Sequence, residues 1–171
     1  MLNYLKKIFS IFLIFLIFNL TFVSSAQATA TFVDSFDVST QDTTPRGLAF
    51  NNDGTKMFVV GDTGNDINSY TLSTGFDLST ATFNDINGDG SGFDISGQEA
   101  TPQYIKFNND GTKMFVSGNS GDDINVYTLS TGFDLSTATF NDINGDGSGF
   151  DVSDQDDATR GFAFNNDGTI M

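Results

Sequence analysis

The chain of 171 residues has no cysteine, no histidine and no tryptophan, and its 22 acids face only seven lysines and arginines. Each absence removes a chemistry. Without cysteine there is no disulfide framework, no thiolate metal site and no cysteine nucleophile. Without histidine there is no imidazole base, no Ser-His-Asp triad and no imidazole metal ligand. A formal charge of −15 leaves no basic face for a phosphate backbone, so no nucleic-acid partner is expected. What remains is 38% apolar with 19 Phe, enough to build a core and too apolar for a disordered acidic tail.

The segment 1–28 reads as a secretory signal peptide, with its helix ahead of the folded region. Lys6 and Lys7 form a positive start, Ile8 to Val23 is almost wholly apolar, and Ala26-Gln27-Ala28 is a small-x-small cleavage site. The apolar run is interrupted by Ser10, Asn19 and Thr21. It falls short of the roughly 20 apolar residues that a membrane span needs, so no stable insertion is expected after cleavage. Lipoprotein anchoring needs a cysteine, and there is none. Removing 1–28 takes away two lysines and no acid, which moves the charge from −15 to −17. The expected location is the periplasm, the cell surface or the medium. Folding there must rest on packing, hydrogen bonds or metal.

The region 29–171 is organised by a repeat. Phe50-Asn-Asn-Asp-Gly-Thr-Lys-Met57 recurs as Phe107 to Met114 and returns, with Ile for Lys, as Phe164 to Met171, at even spacing. Phe36-Asp-Val-Ser39, Phe93-Asp-Ile-Ser96 and Phe150-Asp-Val-Ser153 hold the same phase, as do Gln41, Gln98 and Gln155. Tyr70 to Asp94 is identical to Tyr127 to Asp151 at every position, which marks a recent duplication. The units run over about 36–92, 93–149 and a partial 150–171.

Each unit reads as β. Leu48 to Phe50 is a short apolar strand, and Asn51-Asn-Asp-Gly54 is a tight hairpin turn. Lys56 to Val60 follows with four consecutive apolar residues, the mark of a strand covered on both faces. Gly61 to Asp66 is a second turn region and Ile67 to Leu72 a third strand. Phe76 to Phe83 holds a turn and a fourth, outer strand. No stretch of 29–171 keeps a 3.6-residue apolar period. The expected fold class is therefore all-β: an incomplete β-propeller of about two and a half four-stranded antiparallel blades with a 57-residue repeat. Asn84 to Gly92 accounts for the length beyond common propeller repeats. A stacked β-solenoid is the alternative. Propellers close with about 4–8 blades, so the chain reads as a truncated reading frame or gene fragment, as a module completed by self-association through exposed blade faces, or as a small open β-array.

The run Pro45-Arg-Gly-Leu-Ala-Phe-Asn-Asn-Asp-Gly-Thr-Lys-Met-Phe-Val59 resembles the core of bacterial β-propeller repeats of the YVTN and lactonase-like group. Tyr70 to Thr82 is similar to exported propeller repeats of unassigned function. The resemblance covers about 32–171 and implies a propeller. Its lactonase branch implies a metal site containing histidine, which this chain does not have, so no catalytic residue carries over.

The candidate site is a pair of loops. Asp85, Asn87, Asp89 and Ser91 place oxygens at alternate positions with Gly90 at the sixth, and Asp142, Asn144, Asp146 and Ser148 repeat the arrangement. This matches the first half of a Ca²⁺ loop, in which alternating oxygens converge on one hard cation. Ser96 and Ser153 stand where an EF-hand has its bidentate Glu, and Asp94 and Asp151 at position ten serve in its place. A plain Asn/Asp/Gly turn selects the same residues. Ca²⁺ is the one cofactor expected. Asp53, Asp110 and Asp167 read as hairpin residues, and the Phe residues as core. The loops 61–66 and 118–123 read as soluble connectors.

Function is expected to be binding or structural, toward an extracellular or envelope ligand that the residues do not identify. Repeated carboxylates are not set apart as acid and nucleophile, and there is no P-loop, G-x-S-x-G or dinucleotide fingerprint. A propeller hydrolase whose catalytic blades lie elsewhere, and a non-functional fragment, are the alternatives.

Overall fold

The computed structural model describes residues 30–156, 158–165 and 168–171. The signal segment 1–28 and Asp167 lie outside the described residues. The described residues are all-β, with ten strands in two antiparallel sheets and two single-turn 3₁₀ helices, at Leu78–Thr80 and Leu135–Thr137. Sheet A holds β1 (Pro45–Phe50), β2 (Lys56–Gly61), β3 (Asp66–Leu72), β4 (Ala81–Phe83) and β5 (Phe93–Asp94). Sheet B holds β6 (Pro102–Phe107), β7 (Lys113–Gly118), β8 (Asp123–Leu129), β9 (Ala138–Phe140) and β10 (Phe150–Asp151). No helix of the described residues is long and apolar enough to cross a membrane.

The hairpins form where the turn chemistry places them. Asn51 Oδ1 accepts from Lys56 N at 2.9 Å, Asp53 Oδ1 accepts from Thr55 N at 3.0 Å, and Gly54 takes the left-handed φ of 72° that closes the turn. The register Phe50↔Met57 follows, and the second repeat copies it as Phe107↔Met114. The third turn also closes, with Asn165 N donating to Ile170 O at 2.9 Å. Among the described residues no strand follows Asp151.

The expected fourth, outer strand forms as β4, and an unexpected short strand, β5, shares its edge. Along the outer edge of β3, β4 pairs with Tyr70–Leu72 while β5 pairs with Asp66 and Ile67. Asn84–Gly92 loops out between them, so one strand position is shared by two short strands. The Asp66 carboxylate brings the chain back by accepting from Gly92 N at 2.8 Å. Phe93 and Asp94, which the repeat phase assigns to the second unit, thus belong by hydrogen bonding to sheet A.

Both faces of β2 are buried, as its apolar run demands. Met57 and Val59 join Tyr70 and Leu72 in one cluster, covered by Phe36, Val38 and Leu78. Phe58, Val60 and Ile67 face the other way and meet Ile95, Ile105, Met114, Val116, Tyr127 and Leu129. The larger of the two core clusters therefore lies between the sheets, and the smaller on the other face of sheet A. Burying each large side chain there is worth about 1.5–3 kcal/mol. Phe93 is the strap: its backbone pairs with Ile67 of sheet A, and its ring stands 5.7 Å from Tyr127 of sheet B. Phe36 makes the equivalent contact with Tyr70, at 5.3 Å.

Candidate functional site

Of the proposed calcium ligands, Asp94 and Asp151 end the short strands β5 and β10, and the others lie in the two outer loops. Asp85, Asn87, Asp89, Asp94, Asp142, Asn144, Asp146 and Asp151 are exposed, Ser91 is exposed and Ser148 half-buried. Asp85 works as a cap on its own loop: Oδ1 accepts from Gly88 N at 2.7 Å and Asp89 N at 3.1 Å, and Oδ2 accepts from Gly90 N at 3.1 Å. Asp142 repeats the first two bonds with Gly145 and Asp146. Asp89 Oδ1 accepts from Ser91 N and Oγ, and Asp146 does the same with Ser148. Asn87 and Asn144 turn their amide donors to Gly92 O and Gly149 O. Asp94 and Asp151 cap Ser96 N and Ser153 N at 2.8 Å. These hydrogen bonds hold Asp89, Asp94, Asp146 and Asp151 below the usual carboxylate range. Among the described residues no group of three or more carboxylates is gathered closely enough to hold a metal ion.

A second set of acids, not singled out by sequence motif, is buried inside each sheet's end. Asp42 and Glu99 occupy the same repeat position, and neither is exposed at all. Asp42 Oδ1 caps Thr44 N at 2.7 Å, while Oδ2 is buried with no hydrogen-bond partner. Glu99 Oε1 accepts from Thr101 N at 2.7 Å and Ser120 N at 3.1 Å. Each carboxylate lies against a strand-ending glycine, Asp42 on Gly61 and Glu99 on Gly118, where a Cβ would collide with it. Asp66 and Asp123 lie nearby in β3 and β8. They accept from Asn68 Nδ2 at 2.8 Å and Asn125 Nδ2 at 2.7 Å, and from Gly92 N and Gly149 N at 2.8 Å each.

Burial pushes Asp66 and Asp123 above the usual carboxylate range, against the pull of their hydrogen bonds, and Asp42 or Glu99 adds repulsion. Burial and the same acids push Tyr70 up to about 12. The Oδ1 atoms of Asn68 and Asn125 are buried without donors. The one ion pair among the described residues, Arg46–Asp62 at 2.7 Å, lies on the surface. The sequence signal for these acids is the pairing of 42 with 99 and of Gly61 with Gly118, at the repeat spacing.

The third feature is apolar. Phe36, Val38, Leu48, Met57, Val59 and Leu78 line an open groove of about 240 Å³ on the outer face of sheet A. Leu48 is 55% exposed there, and Phe76, at φ 61°, is 60% exposed. No protein family, curated protein or solved structure matches this chain.

Proposed function

We propose that the chain is an exported module of β-propeller blades, located in the periplasm, on the cell surface or outside the cell, with a binding or structural role and no catalytic one. The observation that carries this reading is the duplication of the buried polar network. Asp42, Asp66 and Asn68 return as Glu99, Asp123 and Asn125, with the same local bonding for Asp66 and Asp123. A catalytic constellation makes one carboxylate unlike its neighbour, and here each has a twin. Four strand positions per sheet, and sheets stacked through Phe58 and Phe107 at 4.6 Å, support the blade reading. So does the likeness of Pro45–Val59 to YVTN-type repeats.

Calcium belongs to the proposal as a stabiliser at the 85–94 and 142–151 loops. Its support is the oxygen spacing together with a charge of −17 on the region 29–171, which one cation per loop would relieve. Expression of the full chain, cell fractionation and circular-dichroism melts in CaCl₂ and in EDTA test the whole reading. A product shortened at Ala28, found outside the cytoplasm, with one cooperative transition raised by Ca²⁺, is expected. Full-length cytoplasmic protein would overturn export. The absence of any transition would overturn the folded module. A melt indifferent to Ca²⁺ would remove the metal alone.

A further inference from the structure

The two sheets follow one strand plan, with β1 (PRGLAF) and β6 (PQYIKF) alike only at their first and last residues and the other strands nearly identical, but they have different neighbours. Ile105 of β6 is 2% exposed because sheet A lies over it, whereas its equivalent Leu48 of β1 is 55% exposed. Phe133 packs on Phe58 of sheet A at 6.4 Å, whereas its equivalent Phe76 has a ring contact only within sheet A among the described residues, with Phe50 at 5.3 Å. Three contacts cross from sheet A to the second repeat here. Phe58 is inserted against Phe107 at 4.6 Å, Lys56 Nζ donates to Phe133 O at 2.8 Å, and Asn52 Nδ2 donates to Asn109 O at 2.6 Å.

Sheet B offers the same three groups one repeat later: Phe115, Lys113 and Asn109. The Lys113 ammonium makes no hydrogen bond or ion pair among the described residues, and Lys113 is exposed. Phe115 is capped by Phe164 at 4.8 Å, from the segment 158–171, whose described residues form no strand. That segment reads Arg160-Gly-Phe-Ala-Phe164, against Arg46-Gly-Leu-Ala-Phe50 of β1. It is a single-segment copy of the element that a whole sheet would present.

We infer that the outer face of sheet A docks onto sheet B of a second copy of this chain. β1 of one copy takes the seat that the segment 158–171 holds on Phe115 of the other. Lys113 of that copy then reaches Phe76 O as Lys56 reaches Phe133 O. The interface continues the one inside the chain, and its surfaces correspond by repeat position, with Phe115 for Phe58, Leu48 for Ile105 and Ser117 for Val60. The contact is head-to-tail, so it closes into a ring or runs on as a filament. The inference rests on the stacked-blade reading above.

Sedimentation velocity on the exported chain across a dilution series tests it. The expected result is a wild-type mass that rises with concentration from one chain to its multiples. Leu48→Asp stays at one chain with an unchanged melt, since Leu48 is exposed in the single chain. Lys113→Glu weakens association in the same direction. Phe164→Ala loosens the competing segment and moves association to lower concentration. A wild type that remains a single chain at its highest soluble concentration overturns the inference. So does association that Leu48→Asp leaves intact. In either case a cooperative melt leaves the folded-module reading standing, so the two failures are distinguishable.

Discussion

Gly92 donates its backbone N–H to the buried carboxylate of Asp66 at 2.8 Å, and this bond ends the long outer loop and starts the strap into sheet B. Asp66 is thereby both a buried acid and the anchor of β5, whose register is Asp66↔Asp94 and Ile67↔Phe93. The same arrangement recurs at Asp123 and Gly149.

A pH dependence follows. Burial raises Asp66 and Asp123 in the folded chain above the usual 3.8, so the folded state holds their protons more tightly than the unfolded state does. Stability from these two groups is therefore present at low pH and lost as pH rises through the folded values. Asp53, Asp89, Asp94, Asp110, Asp146 and Asp151 are lowered by their turn hydrogen bonds and act oppositely. Their contribution is present above 3.8 and lost on acidification. Thermal melts from strongly acid to neutral buffer are expected to rise as the turn carboxylates ionise and to decline again above the raised folded values of Asp66 and Asp123. The double variant Asp66→Asn, Asp123→Asn keeps the acid limb and flattens the decline toward neutrality. An unaltered decline in the variant would refute the role assigned to the two buried carboxylates.

The inter-sheet lysine gives an internally controlled comparison. Lys56 Nζ donates across the interface to Phe133 O at 2.8 Å, while Lys113 at the equivalent place is exposed. Lys56→Met keeps the apolar stem and removes the charged donor, leaving a half-buried carbonyl unpaired. The expected loss is about 1–2 kcal/mol. Lys113→Met, measured on dilute single chains, is expected to change stability by less than about 0.5 kcal/mol. Urea titrations of the pair decide it, and equal effects would mean the interface bond contributes nothing specific.

Much of this architecture is legible in the sequence because turn chemistry and apolar runs are local. Asn51 to Gly54 fixes its hairpin through its own side chains, and Met57 to Val60 announces burial on both faces. The outer edge is not legible. Phe93-Asp94 is too short to show a period, and its pairing with β3 depends on a hydrogen bond from Gly92 to an acid far back in the chain. The oxygen-rich loops stand out by their spacing, yet their oxygens are engaged by backbone N–H groups of the same loops. The buried acids escape a sequence reading because carboxylates are seldom fully buried. What permits Asp42 and Glu99 to be buried is a missing side chain at Gly61 and Gly118 together with donors from Thr44 and Ser120, a combination only the folded chain assembles.

Those glycines carry the next prediction. A Cβ at Gly61 would land on the Asp42 carboxylate and Thr44 O, and one at Gly118 on Thr101 O and the Glu99 carboxylate. Neither residue has a positive φ, so the objection to alanine there is space alone. Gly61→Ala and Gly118→Ala are each expected to cost about 1–3 kcal/mol, since backbone atoms on one side cannot yield. Gly97→Ala meets nothing within 4 Å and is expected to be neutral or slightly stabilising. Denaturation midpoints of the three variants separate crowding from a general cost of replacing glycine.

The stacking of the sheets is tested most directly at Phe58. It is 0% exposed, and its ring lies 4.6 Å from Phe107 and 6.4 Å from Phe133, so it joins β2 of sheet A to two elements of the next repeat. Phe58→Ala removes one ring from an otherwise filled interface and is expected to cost about 3–5 kcal/mol. Phe115, its repeat equivalent, meets Phe162 at 6.2 Å and Phe164 at 4.8 Å, both from a segment whose described residues form no strand. In dilute single chains Phe115→Ala is therefore expected to cost less than half as much, because a partly open site leaves a smaller cavity behind. If the two variants lose stability equally, the sheets do not depend on one another in the way their shared core implies. Hydrogen exchange would then show sheet B opening independently of sheet A, whereas a common opening free energy for β2 and β7 is the outcome that stacking requires.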